Sequence, residues 1–205
     1  MRWLEVRRHA PTKKGAARGR GSHLSAYGVA LARAVGAELG PFAFVMTSAS
    51  PRAVETAIAM GWAVDDTVDL PSGYVPGEAE HHDQWAWPQP YVHYAELIAA
   101  GGGIAAVATE HRKIWIEVVR SVPDGSGALV VSHGGSIEPA LVSSLPEADH
   151  ASWGAPFSHL DGVRLDFEDG RFIRARLHRP KRPACPMEGG MMQPTRRSRH
   201  GALDV

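Results

Sequence analysis

Apolar positions along the chain fall into short runs and helical stripes that alternate. Trp3, Leu4 and Val6 form an apolar-rich run, and residues 3–6 predict a buried first strand. A loop rich in Gly, Lys and Arg follows through Gly21. Ser25 is an N-cap candidate; Ala30, Leu31, Ala34, Val35 and Leu39 then keep a helical period to the Gly40-Pro41 stop. Phe42 to Met46 predicts a second strand. Ser50 followed by Pro51 opens a helix to about Met60. Val68 to Leu70 reads as a short strand and the polar, turn-rich stretch Pro71 to Pro90 as a loop. Helices are expected over Tyr91–Ala100 and Val107–Val122, separated by three glycines. Ala128 to Ser132 is a buried strand, and Ile137 to Leu145 a helix with Pro139 in its first turn. Val163–Phe167 and Phe172–Leu177 flank Glu168-Asp169-Gly170, a hairpin signal. No internal repeat is visible. The alternation predicts a three-layer α/β/α sandwich with a mostly parallel central sheet. Residues 1–178 make the body, with a small helical cap insertion at about 84–122. From Pro180 onward the apolar period vanishes, and 179–205 reads as a disordered basic tail.

Composition narrows the class. A chain of 205 residues with 44% hydrophobic and 21% charged side chains is ordinary for one folded domain. The formal net charge is zero, so the chain as a whole is no polycation suited to nucleic acid. Cys185 is the single cysteine, which excludes an intramolecular disulfide and a thiolate cluster within the chain. No apolar run is long enough for a membrane helix, and charges among the first residues argue against a signal peptide. A cytoplasmic protein with no membrane or nucleic-acid partner is expected; oligomeric state stays open. The charge is uneven. The first 20 residues hold seven basic side chains and one acid, and Lys13, Lys14, Arg18 and Arg20 could attract an anion. No Lys or Arg lies between Arg52 and Arg112, and Asp65 to Asp83 holds six carboxylates.

Three segments carry candidate chemistry: Arg8-His9-Ala10-Pro11-Thr12, Thr47-Ser48-Ala49-Ser50-Pro51-Arg52-Ala53, and Ser132-His133-Gly134-Gly135-Ser136. Each follows a predicted strand, where open α/β sheets place ligand sites. Two also open a helix, whose N-terminal amides favour an anion. If the strands are neighbours, two histidines and two arginines converge. Arginine forks suit phosphate oxygens, and a neutral histidine can attack phosphorus.

These segments resemble the histidine phosphatase superfamily, with its phosphoglycerate-mutase-like fold. Arg8-His9 with Thr12 is similar to the opening R-H-G-x-T box, with Ala10 in place of glycine. Leu24-Ser25-x-x-Gly28 is similar to the first helix. Ser50-Pro51-Arg52-Ala53 with Glu55-Thr56-Ala57 resembles the second box, two residues shorter before the arginine. Ser132-His133-Gly134-Gly135 resembles the second histidine box.

The resemblance implies a phosphatase acting on a small phosphorylated substrate. His9 would be the nucleophile that becomes phosphohistidine. Arg8 and Arg52 would hold phosphoryl oxygens, and His133 would donate to them as imidazolium or through an N–H. Thr12, Ser22 and Gly134 would line the substrate site. The scheme needs no metal or other cofactor. The family's asparagine six residues after the nucleophile is Gly15 here, with Ser22 or Lys14 as replacement. Its glutamate after the third strand is missing too. Glu78, after Pro76-Gly77, is the expected proton donor to the leaving oxygen, and Glu80 the alternative.

Two other readings remain at this point: a non-catalytic binder of phosphorylated ligands, and a phosphoglycerate-mutase-type phosphotransferase. Glu80-His81-His82-Asp83, with His93 and His111, invites a metal reading; the competing one is a polar rim of the substrate pocket. Trp85, Trp87, Tyr91 and Tyr94 are candidates for a lid or for core packing.

Overall fold

The first strand alternates, and the alternation decides which face meets which layer. In the computed structural model, which describes residues 1–15 and 22–180, β1 spans Arg2–Arg8. Leu4 and Val6 point to one side and are fully buried. Glu5 and Arg7 point to the other, where their side chains form a buried ion pair at 2.6 Å. The remaining elements are α1 (Ala26–Gly36), β2 (Phe44–Ser48), α2 (Pro51–Ala59), β3 (Asp66–Val68), α3 (Pro90–Ala100), α4 (Gly103–Ser121), β4 (Gly127–Ser132), α5 (Ile137–Ser144), β5 (Gly162–Glu168) and β6 (Arg171–His178). Short 3-10 helices cover Asp83–Trp85 and His150–Trp153.

The six strands form one sheet in the order β3-β2-β4-β1-β5-β6. β3, β2, β4 and β1 run parallel. β5 and β6 are antiparallel and joined by the expected hairpin, whose Asp169 and Gly170 both take positive φ. The mostly parallel α/β sandwich expected from the sequence is therefore present. On one face Leu4, Val6, Ala128 and Val130 pack with Tyr91, Tyr94, Trp115, Ile137 and Leu141 from α3, α4 and α5. On the other, Val45, Leu129 and Val131 pack with Leu31, Ala32, Val35, Ala53 and Ala57 from α1 and α2.

Three differences from the sequence reading bear on the site. β2 runs to Ser48 and β3 begins at Asp66, because Asp65 Oδ2 accepts from the Val45 amide and sets the pairing. α4 starts at Gly103 rather than Val107. The carboxylate that caps it comes from Glu78, which the local sequence cannot reveal. Thirdly, α3 and α4 do not form a separate cap over 84–122. α4 packs on α5 and on β1, β2 and β4, and its Trp115 is wholly buried. These helices are one layer of the sandwich, and residues 71–89 are left to frame the pocket.

Among the described residues no single helix is both long and apolar enough to cross a membrane; α3 and α4 meet length and composition only together, across a 101° bend. The tail expected from Pro180 lies outside the described residues from Lys181 onward.

Candidate active site

Strand register assembles the site. Arg8 stands opposite Ser132, and Thr47 opposite Val131. The next residues, His9, His133 and Ser48, therefore leave the sheet side by side at one edge. A cavity of about 360 Å³ opens there, lined by Arg8, His9, Thr12, Ser22, Arg52, Tyr74, His81, His82, His133, Gly134 and His159.

His9 is almost fully buried on the cavity floor. Its backbone amide donates to Ser132 O at 2.9 Å. Its Nδ1 lies 2.8 Å from the Ala10 carbonyl, so Nδ1 carries the proton and Nε2 keeps its lone pair. Burial pulls the imidazole down from its ordinary 6.5 to about 2, and neighbouring His133, Arg8 and His159 push the same way. The His133 and His159 rings each stand 5.3 Å from the His9 ring, centroid to centroid.

His133 is fixed by two contacts of opposite sense. Arg52 Nε donates to its Nδ1 at 3.3 Å. Its Nε2 must then hold the proton and donates to Ser48 Oγ at 2.6 Å. Ser48 passes a hydrogen bond on to Ser50 Oγ. Burial lowers His133 to about 4, helped by Arg52 and Arg8. Of the two forms the sequence left open, the neutral imidazole fits these contacts.

Arg8 Nη1 donates to Phe157 O at 2.6 Å. A Cβ on residue 134 would sit 2.9 Å from the Arg8 guanidinium carbon, so Gly134 is the residue that lets this fork lie flat on the second histidine loop. The same segments are tied from below by Glu138. Its carboxylate accepts from the Gly135 amide at 2.6 Å and the Phe157 amide at 2.9 Å. Complete burial raises the Glu138 pKa.

Helix α2 braces the opposite wall through residues at i, i+3 and i+4 spacing. Arg52 enters the pocket. Thr56 Oγ1 accepts from the Ala10 amide at 2.9 Å. Glu55 takes the Leu24 amide and pairs with His23, which fixes the strand segment beside Ser22. The Leu24 and His23 bonds hold the Glu55 carboxyl below its usual range, against the opposing effect of burial.

The pocket thus gathers His9, Arg8, Arg52, His133, Thr12, Ser22 and Gly134. It does not gather Glu78. Both Glu78 oxygens are engaged by the amides of Gly103 and Ile104, at 2.6 and 2.9 Å, at the start of α4. Glu80, the alternative, accepts from the Gly77 amide. Asp83 accepts from the Glu80 amide. The acidic run spends its charge on backbone donors, which suits a turn-rich loop with few partners of its own.

Among the described residues no three ligating side chains are gathered around a possible cation position. His93 pairs with Glu96, and His111 is buried in α4, where its Nε2 donates to Pro71 O. Of the aromatic candidates, Tyr91 and Tyr94 are core residues. Trp87 stacks edge-on with Tyr94. Of the four, Trp85 approaches Arg8, whose guanidinium carbon lies 5.9 Å over the Trp85 ring centre.

His159 and Tyr74 were missed by sequence reasoning. His159 precedes β5, an antiparallel strand, so the start of β5 lies at the same sheet edge as the end of β1. The rule that looks only past strand C-termini cannot find it. Tyr74 sits in a loop without period, and only its neighbouring histidines hinted at a pocket.

Solved structures share this architecture. A phosphoserine phosphatase from Entamoeba histolytica, in complex with 3-phosphoglyceric acid, superposes with a TM-score of 0.63 at 16% identity, covering 88% of this chain and 98% of that one. A mycobacterial glucosyl-3-phosphoglycerate phosphatase bound to VO3 gives a TM-score of 0.61 at 22% identity, with 86% and 97% covered. At these identities the likeness shows the fold alone. No curated protein matches the sequence. The family model described as histidine phosphatase superfamily (branch 1) matches residues 6–179. Nearly the whole described chain is covered by that match, and the chain belongs to the histidine phosphatase superfamily.

Proposed function

We propose that the protein is a metal-independent phosphatase of small phosphomonoesters, working through a phosphohistidine on His9. One observation carries the reading: a buried imidazole whose Nδ1–H is committed to a carbonyl, with its Nε2 lone pair left inside a cavity walled by two guanidinium groups. Burial keeps that lone pair unprotonated far below neutral pH. Nε2 attacks phosphorus, and the ester P–O bond breaks in line. Arg8 and Arg52 stabilise the equatorial oxygens, and the neutral His133 turns its Nε2–H to them from Ser48 Oγ when the substrate binds. Water then cleaves the N–P bond and releases inorganic phosphate. Charge on the transferring group is met by arginines, so the scheme asks nothing of a cation. That the similar solved structures are phosphatases supports hydrolysis over mutase transfer.

The described pocket lining contains no carboxylate, and this favours a second reading, a binder of phosphorylated ligands without turnover. Turnover separates the two. Hydrolysis of p-nitrophenyl phosphate in excess chelator is expected from the parent protein. His9→Ala should lose on the order of 10³-fold or more. Acid-labile phosphate trapped on the parent and absent from His9→Ala completes the test. Binding without hydrolysis or trapping would support the binder.

A further inference from the structure

Among the described residues no carboxylate lines the pocket to protonate the leaving oxygen. Glu78 is tied to α4, Glu80 and Asp83 to loop amides. Residues 16–21 contain no acid either. The pocket is instead closed on its outer side by Tyr74, His81 and His82. In an in-line displacement the leaving oxygen lies on the far side of phosphorus from the nucleophile. His9 is on the buried floor, so that far side faces the rim. His133 and His159 stand beside His9, at 5.3 Å between ring centroids, and flank the equatorial oxygens. The imidazoles on the leaving side are those of the 81–82 pair.

Within the pair His82 is the better held. Its backbone takes the left-handed conformation (φ 75°) at the start of the 83–85 helix. Its Nδ1 lies 3.3 Å from the Tyr74 hydroxyl. His81 packs against it, with ring centroids 3.8 Å apart. When His82 is charged, Nδ1–H donates to Tyr74 Oη and Nε2–H is left for the substrate. We infer that His82 is the general acid of this phosphatase, giving its Nε2 proton to the leaving alkoxide. The inference rests on the phosphohistidine reading above.

The protons balance. In the first step His9 Nε2 bonds to phosphorus, the P–O(R) bond breaks, and the alcohol departs with the proton of the His82 imidazolium. In the second, water attacks phosphorus, the N–P bond breaks, and neutral His82 takes the proton that water releases. The groups facing His82 are His81 and Tyr74 from its own loop and Arg8 from β1. Burial, then His81 and Arg8, lower its pKa from 6.5, which makes it a readier donor. The bound dianion opposes the loss of that proton.

The test compares two esters in one set of proteins. p-Nitrophenolate leaves without a proton, whereas the alkoxide of β-glycerophosphate needs one. His82→Asn should lower kcat/KM for β-glycerophosphate by roughly 100-fold or more, and for p-nitrophenyl phosphate by less than about 10-fold. The basic limb of the β-glycerophosphate pH profile should flatten in that variant. His81→Asn removes a repelling neighbour and should move the same limb to higher pH. Equal loss for both esters, or none for either, would overturn the assignment. Phosphohistidine trapped on His9 in those same samples would leave the phosphatase reading standing. No hydrolysis of either ester by the parent protein would remove that reading and this inference with it.

Discussion

The floor and the rim of the pocket are built on different principles. The floor is made by the ends of three neighbouring strands, and its groups are held by backbone carbonyls and by fixed side-chain partners. His9 is anchored to Ala10 and Ser132, Arg8 to Phe157, and His133 between Arg52 and Ser48. The rim is one irregular stretch, residues 71–89, whose polar side chains are largely exposed and whose acids cap amides. A preorganised floor suits a group common to all substrates, the phosphoryl dianion. A loose, side-chain-rich rim suits the part that varies.

The division between floor and rim faces its hardest test at the floor. His133→Ala should cost about 10²- to 10³-fold in kcat, and by the same factor for aryl and alkyl esters. A loss confined to one ester would mean that His133 reads the organic group and that floor and rim are not separate. A smaller effect concerns pH. His9 and His133 hold values of about 2 and about 4 in the folded chain, below the 6.5 expected when unfolded. The unfolded chain therefore binds more protons between those values. Stability is fully present above pH 6.5 and is lost progressively as the pH falls towards 4 and below. Thermal midpoints taken from pH 7 to pH 4 should decline, and His133→Ala should flatten the decline. A parent midpoint independent of pH would contradict the buried, neutral floor.

The least expected effect belongs to Glu78. As a helix cap it should cost about 1 kcal/mol when changed to Gln, seen in denaturant midpoints. Any loss of activity should be equal for both esters, since the carboxylate stands outside the pocket. Selective loss with β-glycerophosphate would return Glu78 to the proton-transfer step and take it from His82.

The same divide explains what could be read from the chain. Strand-end boxes announced the floor, because a strand followed by His or by Ser-x-Ser-Pro-Arg fixes both position and direction of a side chain. Arg8, His9, Arg52 and His133 were legible for that reason, as were Thr12, Ser22 and Gly134 through their boxes. The α/β alternation likewise gave the sheet and its helical layers. The rim was illegible, because a carboxylate after Pro-Gly looks the same whether it faces a substrate or caps a helix 25 residues later. His159 was hidden by strand direction: nothing local says that β5 runs against β1. The supposed cap over 84–122 failed through packing. Trp115, Tyr91 and Tyr94 have the spacing of any amphipathic stripe, and only the assembled sheet shows which surface receives them.

One small contact ties the two regions together. Gly73 lies so close to Gly135 that a Cβ on it would collide with the Gly135 carbonyl, and its amide donates to Ser136 Oγ at 3.1 Å. Tyr74, next along, packs over Gly135. The seam has a practical meaning for redesign. Loop transplants that begin after Tyr74 and end before α3 would exchange the rim, His82 and the Glu78 cap of α4 included, while leaving the strand-end floor seated. A cut made one residue earlier would pull on the loop that holds the second histidine.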